Sequence, residues 1–115
     1  MHRDILFLLK HDFADGPGAA YYCPECAQLN GVLAYYPQLR HVLDVRYVDF
    51  PRPRKEILSL IGEANQSCPV LVIADGPPAN VQGVEIGTHN GLHFVSGAEA
   101  IGHYLAQVQG VGKPH

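Results

Sequence analysis

Ile5-Leu6-Phe7-Leu8-Leu9 is an apolar run with no polar residue to interrupt it. A half-exposed strand would alternate, so the run predicts a strand covered on both faces. Val70-Leu71-Val72-Ile73-Ala74 repeats the pattern in β-branched form and is closed by an Asp75-Gly76 turn. Between these runs the period changes. From Pro24 onward, Leu29, Val32, Leu33 and Tyr36 fall at i, i+3, i+4 and i+7, one buried helical stripe that Pro37 ends. Leu43–Phe50 reads as a strand. After the break at Pro51-Arg52-Pro53, a helical period resumes over Arg54–Asn65 through Ile57, Leu58, Ile61 and Ala64. Leu92–Val95 is a short strand after an Asn90-Gly91 turn. Ser96, with Glu99 three residues on, forms the pattern of a capping box opening a last helix. That helix would bury Ile101, Leu105 and Val108, and Gly110–His115 reads as a frayed tail.

The order is β-α-β-α-β-β-α. Its strand–helix–strand opening implies a parallel pair with a right-handed crossover. The two directly joined strands near the end imply an antiparallel pair. The expected class is α/β, a four-stranded mixed sheet with helices on both faces, spanning residues 1–115 as one domain. This is the thioredoxin-like arrangement, reached without using a cysteine.

Composition agrees and excludes several functions. The chain has 115 residues, 47% of them apolar and 17% charged, which fits a packed globular protein rather than a disordered one. Eight Lys and Arg against 11 Asp and Glu leave a formal charge of −3, without the positive field that non-specific nucleic-acid binding needs. The longest apolar runs hold five residues, far below a membrane span. Met1-His2-Arg3-Asp4 leads into a strand-like run with no signal-peptide pattern. Three cysteines cannot all pair within one chain, which points to reduced thiols and a cytoplasmic setting.

Two of those cysteines form Cys23-Pro24-Glu25-Cys26, where the first loop enters the first helix. A cysteine at the N-cap aims its sulfur at free backbone N–H groups and the positive end of the helix dipole, which favours thiolate. Pro24 takes the first helical position, where a missing N–H costs nothing. Cys26 follows on the same face and can attack a mixed disulfide on Cys23. Cys23 is therefore expected as nucleophile and Cys26 as resolving thiol. Two plainer readings stand beside this one: half of a structural zinc site, for which no second Cys/His pair is present, and two buried core cysteines.

Gln66-Ser67-Cys68-Pro69 precedes the strand Val70–Ala74. With these residues in place, the chain resembles the thioredoxin superfamily, where a cis-proline at the position of Pro69 faces the C-x-x-C. The resemblance implies that the backbone of Cys68 pairs with an extended thiol substrate. Proline after Cys23 and the absence of Trp before it look less like thioredoxin than like glutaredoxin and the N-terminal domain of glutathione transferases. The stretches Cys68–Gly76 and Ser96–Leu105 are similar to the proline–strand–turn and last-helix segments of those transferases. The likeness implies that Ser96 and the amides after it hold a glutathione carboxylate. The second, all-helical domain of a transferase is missing. Over nearly its full length the chain resembles a small bacterial family of thioredoxin-like proteins of unknown function, through Arg3-Asp4-Ile5-Leu6-Phe7-Leu8-Leu9-Lys10, the C-P-x-C and Phe50-Pro51-Arg52-Pro53-Arg54.

Several features depart from a plain glutaredoxin. A cysteine, Cys68, stands before the proline, so three sulfurs could converge as metal ligands with His11, glutathione or water as a fourth; a buried small thiol is the plainer reading. Glu25 lies between the thiols, where its charge would oppose a thiolate. The stretches Lys10–Tyr22 and Asp75–Gly91 read as long loops. Lys10 could stabilise the thiolate or a glutathione carboxylate, or simply be solvated. His89-x-x-x-His93 has helical zinc spacing, but the Asn90-Gly91 turn between them argues against it. Arg52-Pro53-Arg54-Lys55 gathers cations at a helix start, as an anion site or a solvated face.

The sequence thus points to a thiol-disulfide oxidoreductase with catalytic Cys23 and Cys26. Cys68, Pro69, Ser96 and Lys10 would bind a thiol or disulfide substrate, glutathione or a protein, with no nucleic acid or membrane partner. No cofactor is required, glutathione being optional. The alternatives are a metal- or iron–sulfur-binding protein using Cys23, Cys26 and Cys68, and a non-catalytic interaction module.

Overall fold

The computed structural model describes residues 3–115; Met1 and His2, read above as part of a terminus without a signal peptide, lie outside the described residues. Its elements are β1 (Asp4–Leu9), β2 (Phe13–Ala14), β3 (Ala20–Tyr21), α1 (Pro24–Tyr35), α2 (Leu39–Val42) and β4 (Leu43–Val48). There follow α3 (Lys55–Ile61), a 3-10 turn (Glu63–Asn65), β5 (Val70–Ile73), β6 (Gly87–His89), β7 (Leu92–Ser96) and α4 (Ala98–Gln109). Alternate residues of β1 are buried on opposite sides of the sheet. Leu6 and Leu8 join Leu71 and Ile73 against Leu29 and Leu33 of α1 and Ile101 and Leu105 of α4. Ile5 and Phe7 join Val70 and Val72 against Ile57 and Ile61 of α3. Each such side chain contributes about 1.5–3 kcal/mol of burial, and helices on both faces account for the uninterrupted apolar runs.

The main sheet has five strands in the order β4-β1-β5-β7-β6, not the four expected. β1 is parallel to β4 and antiparallel to β5, and β7 is antiparallel to both β5 and β6. The added strand lies inside the stretch expected to be a loop. It pairs with β7 across Asn90 and Gly91, whose φ of 49° and 78° supply the left-handed pair a two-residue hairpin turn requires.

Three helix expectations also change. The helix after Pro53 stops at Ile61, because Gly62 at φ 88° leaves the helical region. Ala64 and Leu58, the latter 36% exposed, then fall outside the buried stripe. Gly97, at φ 92°, is the N-cap of α4, so Ser96 closes β7 instead of capping the helix. The chain after Gly110 is not frayed: the Gly112 N–H donates to Tyr36 Oη at 3.3 Å. The Lys10–Tyr22 stretch is a small β2–β3 hairpin rather than an open loop. Phe13 pins it by stacking on Phe50, with centroids 4.3 Å apart and planes 4° from parallel.

Candidate functional site: a dithiol at a helix start

The C-terminal end of β1 and the N-terminus of α1 meet at the cysteines. Cys23 is the N-cap of α1, with extended φ, ψ of −78° and 116°, and Pro24 occupies the first turn. The Cys26 N–H donates to Cys23 Sγ at 3.2 Å, satisfying one of the helix's free amides with sulfur. Cys26 is only 2% exposed, and its own Sγ accepts the Leu9 N–H at 3.4 Å. Burial, then the hydrogen bond to Cys23, push the Cys26 thiol up to about 12. Cys23 is half-buried and reaches a cleft of about 340 Å³ walled by His11, Tyr22, Asn30 and Tyr47. Tyr47 Oη donates to Asn30 Oδ1 at 2.7 Å and fixes that wall. The N-cap placement read from the sequence is the one observed, and no disulfide joins the pair.

Glu25 does not face the thiols as a free charge. Its Oε1 accepts the Ala98 N–H at 2.9 Å, so it caps α4 from 73 residues upstream. The neighbouring Gly97 N–H donates to Pro69 O at 3.1 Å. Two consecutive amides of the β7–α4 junction thus hold the first turn of α1 on one side and the Cys68-Pro69 segment on the other. That peptide is cis, as the resemblance implied, and Arg52–Pro53 is cis as well. Ser96 is exposed at the end of β7, and of the helix amides that follow it, that of Ala98 already holds Glu25.

Cys68 is half-buried on the Pro69 side. Burial pushes its thiol up to about 11, and the Arg54 guanidinium beside it acts the other way. Arg54 itself is not part of an exposed anion site. It is 8% exposed and donates to Phe50 O from Nε and Nη2, at 3.0 and 2.6 Å, and to Gln66 O from Nη1 at 2.8 Å. Its Cζ also lies 5.6 Å from the Phe50 ring centre. Lys10 is exposed and paired with Asp49 at 3.1 Å, in the cavity beside the thiol cleft rather than in it. His89 and His93 lie on either side of the hairpin turn, His93 Nδ1 being 3.1 Å from Thr88 Oγ1.

Among the described residues no three His, Cys, Asp or Glu side chains gather as a metal-ligand set. Cys23, Cys26 and Cys68, the alternative metal-ligand set, are not such a group as placed. Among those residues, too, no helix is long and apolar enough to cross a membrane. Sequence reading missed Glu25 as a cap, Arg54 as a buried anchor, and Asn30 and Tyr47 as cleft walls. Glu25 and the Asn30–Tyr47 pair depend on partners 73 and 17 residues away, and Arg54 on Gln66 12 residues on as well as on nearby Phe50, so no local pattern signals them.

Fold and site together define a mixed α/β protein that carries a dithiol at a helix N-terminus. The chain belongs to the family described as "Protein of unknown function (DUF3088)", whose model matches residues 3–113. No curated protein and no solved structure matches it.

Proposed function

We propose that the chain is a thiol-disulfide oxidoreductase of thioredoxin-like fold, with Cys23 as nucleophile and Cys26 as resolving thiol. The observation that carries this reading is the Cys26 N–H donated to Cys23 Sγ at the start of α1. That sulfur accepts a helix-start amide at the positive end of the dipole, where negative charge developing during the exchange would be stabilised. Cys23 S⁻ attacks a substrate disulfide, forming a mixed disulfide and expelling one thiolate. In the mixed disulfide Cys23 is neutral, which removes the charge that helps hold the proton on Cys26. Cys26 then attacks Cys23 Sγ, its proton passing to the second leaving sulfur. The substrate gains two electrons and the protein holds a Cys23–Cys26 disulfide.

Cys68 and Pro69 form the wall against which an extended substrate lies. A protein or small-molecule disulfide fits this reading; a glutathione carboxylate on the Ala98 amide does not, because Glu25 occupies it. The odd cysteine count supports a reducing, cytoplasmic setting.

The test is redox equilibration in glutathione buffers followed by acid quench and peptide mapping. A reversible two-electron transition linking Cys23 to Cys26 is expected, with a midpoint roughly between −200 and −270 mV, the span of glutaredoxins and thioredoxin. Absence of any disulfide on Cys23 across the titration would overturn the proposal.

A further inference from the structure

The three thiols are unequal in access. Cys26 is 2% exposed and held by the Leu9 amide at the end of β1, whereas Cys23 and Cys68 are both half-buried. Consecutive amides tie their segments together: Gly97 N–H binds Pro69 O, next to Cys68, and Ala98 N–H binds Glu25, two residues after Cys23. Cys23 and Cys68 both pack against the core on the α1–α4 side of the sheet, and Cys68 also touches the core on the α3 side. Beside Cys68 lies a buried cation, Arg54, whose guanidinium donates to the Phe50 and Gln66 carbonyls and is paired with no carboxylate among the described residues. Burial holds the proton on Cys68, and the Arg54 guanidinium acts against that, easing the negative charge its sulfur must carry as it attacks. A metal would need three donors around one point, and these sulfurs do not supply them. A disulfide needs only two.

We propose that Cys68 is a second resolving thiol, which attacks a mixed disulfide on Cys23 and forms a Cys23–Cys68 disulfide. This rests on the oxidoreductase reading and extends it to a second exit for the same intermediate. In the step, Cys68 S⁻ bonds to Cys23 Sγ while the Cys23–substrate S–S bond breaks. The substrate leaves as a thiolate and takes up the proton that Cys68 has lost. In this step the bound sulfur of the substrate is reduced and Cys68 is oxidised, while Cys23 stays a disulfide sulfur, so no further reagent is needed. Cys26 can afterwards attack Cys23 and release Cys68, moving the disulfide inward without net oxidation.

The test uses the reduced full chain carrying Cys26→Ser, mixed with one equivalent of dithiodipyridine. Both halves of the reagent should be released as thiopyridone, the protein should lose two hydrogens, and peptide mapping should find Cys23 joined to Cys68. With Cys26→Ser and Cys68→Ser together, one half should be released and the other retained on Cys23. If Cys26→Ser alone stops with the reagent on Cys23 and Cys68 free, the second resolving role is overturned while the nucleophile assignment survives. If Cys23 stays unmodified in both variants, the oxidoreductase reading falls and this proposal with it.

Discussion

Replacing Cys23 with Ser is expected to reduce disulfide-reductase activity to the uncatalysed background. A hydroxyl held at the same N-cap still accepts the Cys26 amide, so α1 should keep its start and the protein its stability. On the proposed mechanism, what disappears is the sulfur on which both other thiols would act, since Cys26 and Cys68 would resolve a disulfide formed on Cys23. The variant carrying Cys26→Ser and Cys68→Ser should behave differently. It attacks once and stops, accumulating a substrate adduct on Cys23. Turnover with an aromatic disulfide and a dithiol reductant, alongside circular dichroism of each variant, separates loss of chemistry from loss of fold. A Cys23→Ser protein that keeps even half the wild-type rate would show that the nucleophile lies elsewhere.

Substituting Arg54 with Met should destabilise the fold by about 4 kcal/mol, or roughly 15 °C in Tm for a chain of this size. Met retains the apolar stem but donates to nothing. The Phe50 and Gln66 carbonyls lose three hydrogen bonds between them, and a buried carbonyl left unpaired costs about 1–3 kcal/mol. Phe50 also carries the stacked ring of Phe13, so the β2–β3 hairpin should loosen with it. Urea unfolding with tryptic digestion of the Lys10–Tyr22 segment measures both effects. The exposed Lys10–Asp49 pair supplies the contrast: Lys10→Met should cost well under 1 kcal/mol. Equal losses in the two variants would mean that Arg54 is no anchor.

These two residues mark where the sequence was readable. Cys23 was legible because a helix start is local: N-cap, Pro at the first position and a second thiol one turn on are all contiguous. The continuous runs at Ile5–Leu9 and Val70–Ile73 were legible for a related reason, since burial on both faces removes alternation from the strand itself. β6 was not, because Gly87-Thr88-His89 has neither an apolar run nor alternation; pairing with β7 makes it a strand. Its Gly87 is needed there, as a Cβ would run into the Phe94 ring.

Capping failed for an opposite reason. Ser96 and Glu99 had the right spacing, but Gly97 takes a positive φ at the junction and the carboxylate that caps α4 arrives from Glu25. Lys10 follows β1, which allows either a role toward the thiols or a solvated side chain. The parallel register that sets Leu9 against Val48 brings Asp49 beside it instead. Arg54 was read with its charged neighbours as one surface run, and only the turn through Phe50 and Gln66 buries it.

The central claim is that one thiol of three is the attacking group, and the rate of alkylation at each sulfur tests it most directly. Reduced protein would be pulsed with iodoacetamide near neutral pH, quenched, digested, and the label at each cysteine followed with time by mass spectrometry. Burial holds the Cys26 and Cys68 thiols up to about 12 and about 11, so both should react slowly in the free protein. Cys23, half-buried on its cleft with the helix amides behind it, should be labelled first and nearly alone. Label appearing first on Cys26 or Cys68, or equally on all three, would contradict the account.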